Sequence, residues 1–324
     1  MLPGGYARAT NLLNGLKNSV LKRGFAAPSE GGLQTRSVQE VATRVACTQL
    51  FLSRWGVESA YADNASDERH KTAFEAITRA TEETGVYVDF TEKERKLLEA
   101  PLGSWDADVL STYNGKWETF GILLWSLHLY PEIPSYNHYF PRSKLFQSTG
   151  IMPAHSQSIS EFLRYMTMEG KPRSPPAVHR EINIAEAWYW RSRAQALLSI
   201  RPIIFPDSCC NSTPPPKIPK QLKDMIEHIP EAIAQASARA HESQLVARVK
   251  NDDFGVDLGG IEEEGTGVVA YKDLPPEQHE QMKMLAEYRM LAFGWLTGRA
   301  DWEADTSELG YINPISAIWA PSDK

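Results

Sequence analysis

Apolar residues recur three and four positions apart along most of this chain, the spacing of helices with one buried face. Residues 37–57, SVQEVATRVACTQLFLSRWGV, open with Ser37 and Glu40 in a capping pattern and continue in helical register. A second helix is predicted over 66–84, with Asp67 and Glu68 in the first turn, where the helix dipole favours acids. Residues 91–100 read as a short charged helix stopped by Pro101. Ala107 to Tyr130 reads as one longer helix, mostly buried through GILLWSLHL and ended by Pro131. The same spacing predicts helices over 156–169, 178–199, 221–249 and 277–297. Strand alternation is confined to 86–90 and 268–271. Two stretches interrupt the pattern. Residues 201–219, RPIIFPDSCCNSTPPPKIP, hold prolines that exclude a helix interior, and residues 251–267 are rich in Gly and acids. The prolines fit a boundary between two domains or a surface loop within one. The fold expected is mainly α: an irregular multi-helix single domain over 36–309, with long Pro-rich and acidic Gly-rich loops and a C-terminal tail, 310–324.

The first 25 residues follow a different rule. Arg8, Lys17, Lys22 and Arg23 are unopposed by any acid before Glu30, while Leu12, Leu16 and Val20 form an apolar stripe. A basic, acid-free, amphipathic N-terminus is the signature of a mitochondrial targeting segment. Its positive charge is drawn toward the negative side of an energised membrane. Arg23-Gly24-Phe25-Ala26 resembles the site cut by the matrix processing peptidase, which places cleavage at Phe25–Ala26. Residues 1–25 are therefore expected to be a presequence and the mature protein to reside in the matrix.

Composition narrows the partners. The 324 residues carry a net charge of −7, and without residues 1–25 the balance is 30 basic against 41 acidic residues. That balance disfavours nucleic acid. No apolar stretch approaches the ~20 residues of a transmembrane helix.

The chemical motifs fail one by one. His241-Glu242 and His279-Glu280 begin like a zinc-protease helix, but neither has a second His four residues on. Cys209 and Cys210 are adjacent, with no Cys-x-x-Cys pair in the chain, and read as free thiols. Residues 265–270, GTGVVA, spell a dinucleotide fingerprint, yet Glu262, Glu263 and Glu264 precede it where an apolar strand belongs. No metal and no cofactor is expected.

What remains is a set of charged and aromatic residues on apolar helices: Glu118, Trp125, Arg191, Arg289, Trp295, Asp301 and Trp302. Charges in such surroundings pair or carry function. The set is read as a structural ion-pair cluster or a pocket, with Glu118 expected within reach of Arg191 or Arg289.

Four blocks also resemble domain-of-unknown-function family 4272, a helical family of bacteria and fungi. They are SVQEVATRVACTQLFLS with Glu40 and Arg44, KWETFGILLWSLHLYPEIP with Glu118 and Trp125, REINIAEAWYWRSRAQAL with Arg191, and EYRMLAFGWLTGRADWEADTSEL. The last matches through Arg289, Ala292, Trp295, Asp301, Trp302, Asp305 and Thr306. Tyr288 stands where the family usually has Glu, and Lys116 where it often has Arg. The resemblance implies a helical fold and no particular activity. The leading expectation is a non-catalytic module acting on a protein partner, the alternative an enzyme or small-molecule binder with a Glu/Arg/Trp-lined pocket.

Overall fold

Ser37 starts the first helix as its sequence dictates. Its hydroxyl accepts the Glu40 N–H at 3.2 Å, and the Glu40 carboxylate accepts the Ser37 N–H at 2.9 Å. The computed structural model describes residues 33–205, 220–259 and 267–304. Residues 1–25, read as a presequence, with Phe25 and Ala26, Cys209, Cys210, the three glutamates 262–264 and the tail 310–324 lie outside the described residues.

Helix α1 spans Val38–Asp63 and is buried along almost its whole circumference from Val45 to Leu52. Around it pack α2 (Glu68–Glu83), α3 (Glu92–Glu99), α4 (Ala107–Asn114) and α5 (Lys116–Ser126). Then come α6 (Arg142–Thr149), α7 (Ser156–Glu169), α8 (Pro175–Ile204), α9 (Lys220–Glu227) and α10 (Ile229–Glu242). Strands β1 (Val249–Lys250), β2 (Asp253–Asp257) and β3 (Val268–Ala270) form one antiparallel sheet in that order, and α11 (Pro276–Leu296) follows. The protein is mainly helical: 68% of the described residues are in helices.

Contacts group the chain into two compact units. The first holds Gly31–His179 with Tyr288–Ala304, the second Arg180–Glu287. In the first, α1 is the common partner of its neighbours. In the second, Ala194, Leu197, Ile200 and Ile204 of α8 bury against Ile226, Ile229 and Ile233.

Several elements differ from the sequence reading, each for a local reason. Residues 86–90 are not a strand: Val86–Asp89 is a 3₁₀ helix. A strand would turn positions 86, 88 and 90 to one face, but Val86 and Phe90 are buried while Val88 is 73% exposed. The long helix expected over 107–130 is two, broken at Gly115, where a Cβ would stand 2.1 Å from the Tyr288 ring. It also stops early, at Ser126. Arg173 takes up the ending: its N–H donates to the Ser126 carbonyl at 2.8 Å, and its guanidinium to Trp125, Tyr130 and Pro131 carbonyls at 3.0, 3.0 and 2.8 Å. Helix α8 runs on to Ile204 with Pro202 inside its last turn; the ring removes one N–H bond, while Ile200 and Ile204 on either side of it are buried. Residues 221–249 yield two helices and the start of β1. The loop expected from 251 contains β2. Asn251 and Asp252, at φ 50° and 59°, make the two-residue turn that joins β1 to β2, a left-handed pair that matches strand twist.

Candidate functional site

Glu118 comes from the first turn of α5 and Arg289 from α11, and both are essentially without solvent contact. Arg289 Nε and Nη2 each lie 2.8 Å from Glu118 Oε2. The other carboxylate oxygen, Oε1, accepts the Phe140 N–H at 3.0 Å. Gly121, one turn on from Glu118, lets the Phe140 ring come that near: a Cβ there would stand 2.4 Å from it. The remaining guanidinium hydrogens go to carbonyls, Nη1 to Pro134 at 2.6 Å and Nη2 to His138 at 2.8 Å. The rings of Tyr136 and Phe140 lie 4.6 and 5.3 Å from its central carbon. The expected pairing of Glu118 thus forms, with Arg289. Its polar atoms are consumed by the chain itself. Trp125 packs edge-on against Phe293 at 6.1 Å, with Arg173 over its own ring.

Trp295 and Trp302 meet edge to face at 5.3 Å, and Arg36 lies 4.7 Å over Trp295. Trp302 Nε1 donates to Glu94 Oε1 at 2.7 Å, while Glu94 Oε2 accepts from Arg44 at 2.9 Å. Glu303 is engaged in turn, accepting from the Thr91 hydroxyl with Lys93 Nζ at 3.7 Å. Lys116 Nζ lies 4.2 Å from the Trp302 ring centre and reaches one carbonyl, that of Trp302, at 3.4 Å. Arg44 lies over the same ring at 4.7 Å. Among the described residues, no carboxylate comes within ion-pair distance of Lys116. Two opposing effects meet at this amine. The indole face favours a cation by about 0.5–2 kcal/mol, whereas an ammonium withdrawn from water costs several kcal/mol. Burial wins and pushes the Lys116 pKa below the usual lysine value, with Glu94 and Glu303 opposing it and Arg44 and Lys93 reinforcing it. Tyr113, at the end of α4, is pushed up to about 12, first by burial and then by Glu303 and Glu94. Asp301 is exposed and joins none of these contacts.

Arg191 belongs to the second unit. Its Nε and Nη2 each bind the Asp253 carboxylate at 2.6 Å, and Nη2 also meets Gln195 at 3.0 Å. Asp253, on β2, accepts two further N–H groups, from Phe254 at 2.7 Å and Lys272 at 2.8 Å. The guanidinium stacks on the Tyr271 ring at 4.4 Å, and His279 stacks on that ring at 5.1 Å. Trp188 packs edge-on against Phe254 at 5.3 Å. Arg191 Nη1 and the Tyr271 hydroxyl are buried with no hydrogen-bond partner among the described residues. Burial raises the Tyr271 pKa, partly opposed by Arg191, so the phenol stays protonated at neutral pH.

The candidate set therefore resolves into three groups, Glu118 with Arg289, Trp295 with Trp302, and Arg191 with Asp253, while Trp125 packs on Phe293 and Arg173 and Asp301 joins none of them. Four acids and bases escaped the sequence reading. Asp253 sat in a stretch read as loop, although Phe254 and Val256 alternate beside it. Glu94 was visible as the fourth residue of a Thr-x-x-Glu capping box. Arg54 and Glu58, four apart on α1, form a buried ion pair. The Glu58 carboxylate also accepts the Gly103 N–H at 3.0 Å, and Arg54 donates to the Ala100 carbonyl at the same distance. Of the two His-Glu motifs, His279 Nε2 lies 2.6 Å from the Tyr271 carbonyl and His241 Nδ1 lies 3.2 Å from that of Val246. No three His, Cys, Asp or Glu side chains converge as a metal site would require among the described residues.

The fold and these three groups define a helical protein with buried charges, of which the Glu118–Arg289 group is satisfied within the chain and the Arg191 group leaves two polar atoms unpartnered. No family model, curated protein or solved structure matches the chain.

Proposed function

We propose that this chain is a helical protein of the mitochondrial matrix that acts through contacts with a protein partner rather than by catalysis. The observation that carries the reading is the closure of the Glu118–Arg289 group. Four of the guanidinium's contacts and both carboxylate oxygens are committed to the chain, so the group that most resembles a site has nothing to offer a substrate. The basic, acid-free N-terminus supports the compartment, and the acidic remainder argues against nucleic acid as the partner. No helix among the described residues is long and apolar enough to cross a membrane. In this reading the chain is a fungal-type member of the unknown-function family that its four blocks resemble, with an import segment added. The test is expression of the full tagged chain in a fungal cell, with fractionation, N-terminal sequencing and cross-linking inside intact mitochondria. The expected result is a matrix protein beginning near Ala26 that cross-links reproducibly to one protein. A cytosolic product with an intact Met1 overturns the compartment, and a chain cross-linked to nothing overturns the contact reading.

One observation favours the alternative, a small-molecule binder: the unpartnered Arg191 Nη1 and Tyr271 hydroxyl in the second unit. A compound that raises the melting temperature of the wild type and has no effect on Tyr271→Phe would support that alternative.

A further inference from the structure

We propose that this chain pairs with a second copy of itself, helix α7 lying antiparallel against the same helix across a two-fold axis. Helix α7 turns Ile159, Phe162 and Met166 inward, where it packs on α1 and α2. Its opposite side is exposed and carries Gln157, Glu161, Arg164, Tyr165 and Met168 in one stripe, at the three- and four-residue spacing that shares a helix face. Tyr165 and Met168 keep 57% and 67% of their surface in solvent. Met152 keeps 56% and is tied to the start of the helix, its N–H donating to the Ser158 hydroxyl at 2.9 Å. Large apolar side chains gathered on one exposed face mark a contact surface.

The charges on the stripe select the partner and its direction. Glu161 and Arg164 are exposed, and neither has an ion-pair partner among the described residues. Glu161 accepts the Gln157 amide N–H at 2.8 Å. A two-fold axis beside positions 162 and 163 sets each Glu161 against the partner's Arg164, closing two reciprocal ion pairs. It also lays Tyr165 over the partner's Ser160 and carries Met168 toward the partner's Gln157 and Met152. A two-fold contact must be self-complementary in this way. Parallel helices would instead set Glu161 against Glu161 and Arg164 against Arg164. The whole chain carries a net charge of −7, so two copies repel over most of their surface, whereas this stripe holds one acid and one base. Specific interfaces bury about 1,200–2,000 Å². One pair of such helices lies at the small end, so the pairing is reversible, with a micromolar midpoint.

Sedimentation velocity of the full purified chain, from low micromolar to submillimolar concentration, reads the pairing. The wild type is expected to shift from monomer to dimer across that range. Arg164→Glu and Glu161→Arg are each expected to weaken the dimer about tenfold or more, because like charges then meet across the axis. Mixing the two variants is expected to restore a dimer, one copy supplying two acids and the other two bases. Both reversals in one chain restore it as well. Tyr165→Ser with Met168→Ser is expected to abolish it. All four side chains are exposed, so an unchanged melting temperature verifies that these variants fold. A wild type that stays monomeric overturns the proposal, as does a dimer that the single reversals leave intact or a mixture that stays monomeric. The purified chain holds no other protein, so the outcome is independent of the compartment and of any foreign partner.

Discussion

Glu118 illustrates how much one buried carboxylate holds. Truncated to Ala, it leaves the Arg289 guanidinium without its counter-charge and the Phe140 N–H without its acceptor. Breaking a buried pair from one side costs about 3–5 kcal/mol, so Glu118→Ala is expected to lose that much in a urea titration. Tyr271 predicts the opposite behaviour. Its hydroxyl is buried and unpartnered, and an unsatisfied polar group costs about 1–3 kcal/mol by its burial alone. Tyr271→Phe is expected to melt no lower than the wild type, and a fall of several degrees would contradict that. At this scale the sequence was half legible. Charges among tryptophans demand partners, which pointed to Glu118 and Arg289. The partner of Arg191 was hidden, because Asp253 follows a left-handed turn whose polar residues look like loop, and nothing in the spacing reveals a guanidinium 62 positions away.

Elements are set by their ends as much as by their faces. The capping box of Ser37 with Glu40 is read directly from four consecutive residues, and Thr91 with Glu94 carries the same motif, which the sequence reading passed over. What could not be read was where long apolar runs stop. Residues 107–130 are apolar enough for one helix. They break at Gly115, where a tyrosine from α11 leaves no room for a side chain, and they end at 126, where Arg173 gathers the last carbonyls. Both residues lie far along the chain. Replacing Arg173 with Ala is expected to cost about 2 kcal/mol, the upper range for a cation at a helix C-terminus, as measured by chemical unfolding. Gly121→Ala should be destabilising despite alanine's better helix propensity, by about 1–3 kcal/mol for overpacking. Its Cβ would lie 2.4 Å from the Phe140 ring, so unchanged stability would mean that Phe140 moves freely.

For the whole molecule, buried groups set the response to pH. Burial raises Cys47 from 9.0 to about 12, and Tyr113 from 10.0 to about 12. A group that the fold keeps protonated stabilises the native state below its unfolded pKa and loses that contribution as pH climbs to its folded one. These two therefore predict falling stability between about pH 9 and 12. Lys116 runs the other way. The fold disfavours its proton, the unfolded chain binds it, and stability rises with pH up to the unfolded value near 10.5. Unfolding titrations from pH 7 to 11 are expected to show a steeper alkaline decline in the wild type than in Cys47→Ala. The chain order adds a constraint of another kind. The first unit is closed by Tyr288–Ala304, long after its opening residues, and Arg289 is made 171 positions after Glu118. At roughly 5–20 residues per second of synthesis, the carboxylate emerges roughly 10–30 s before its guanidinium exists. Through that interval the helix carrying Phe120, Ile122 and Trp125 lacks its closing segment. A chain truncated anywhere between Glu118 and Arg289 therefore keeps the Glu118 carboxylate and never makes the guanidinium that pairs with it.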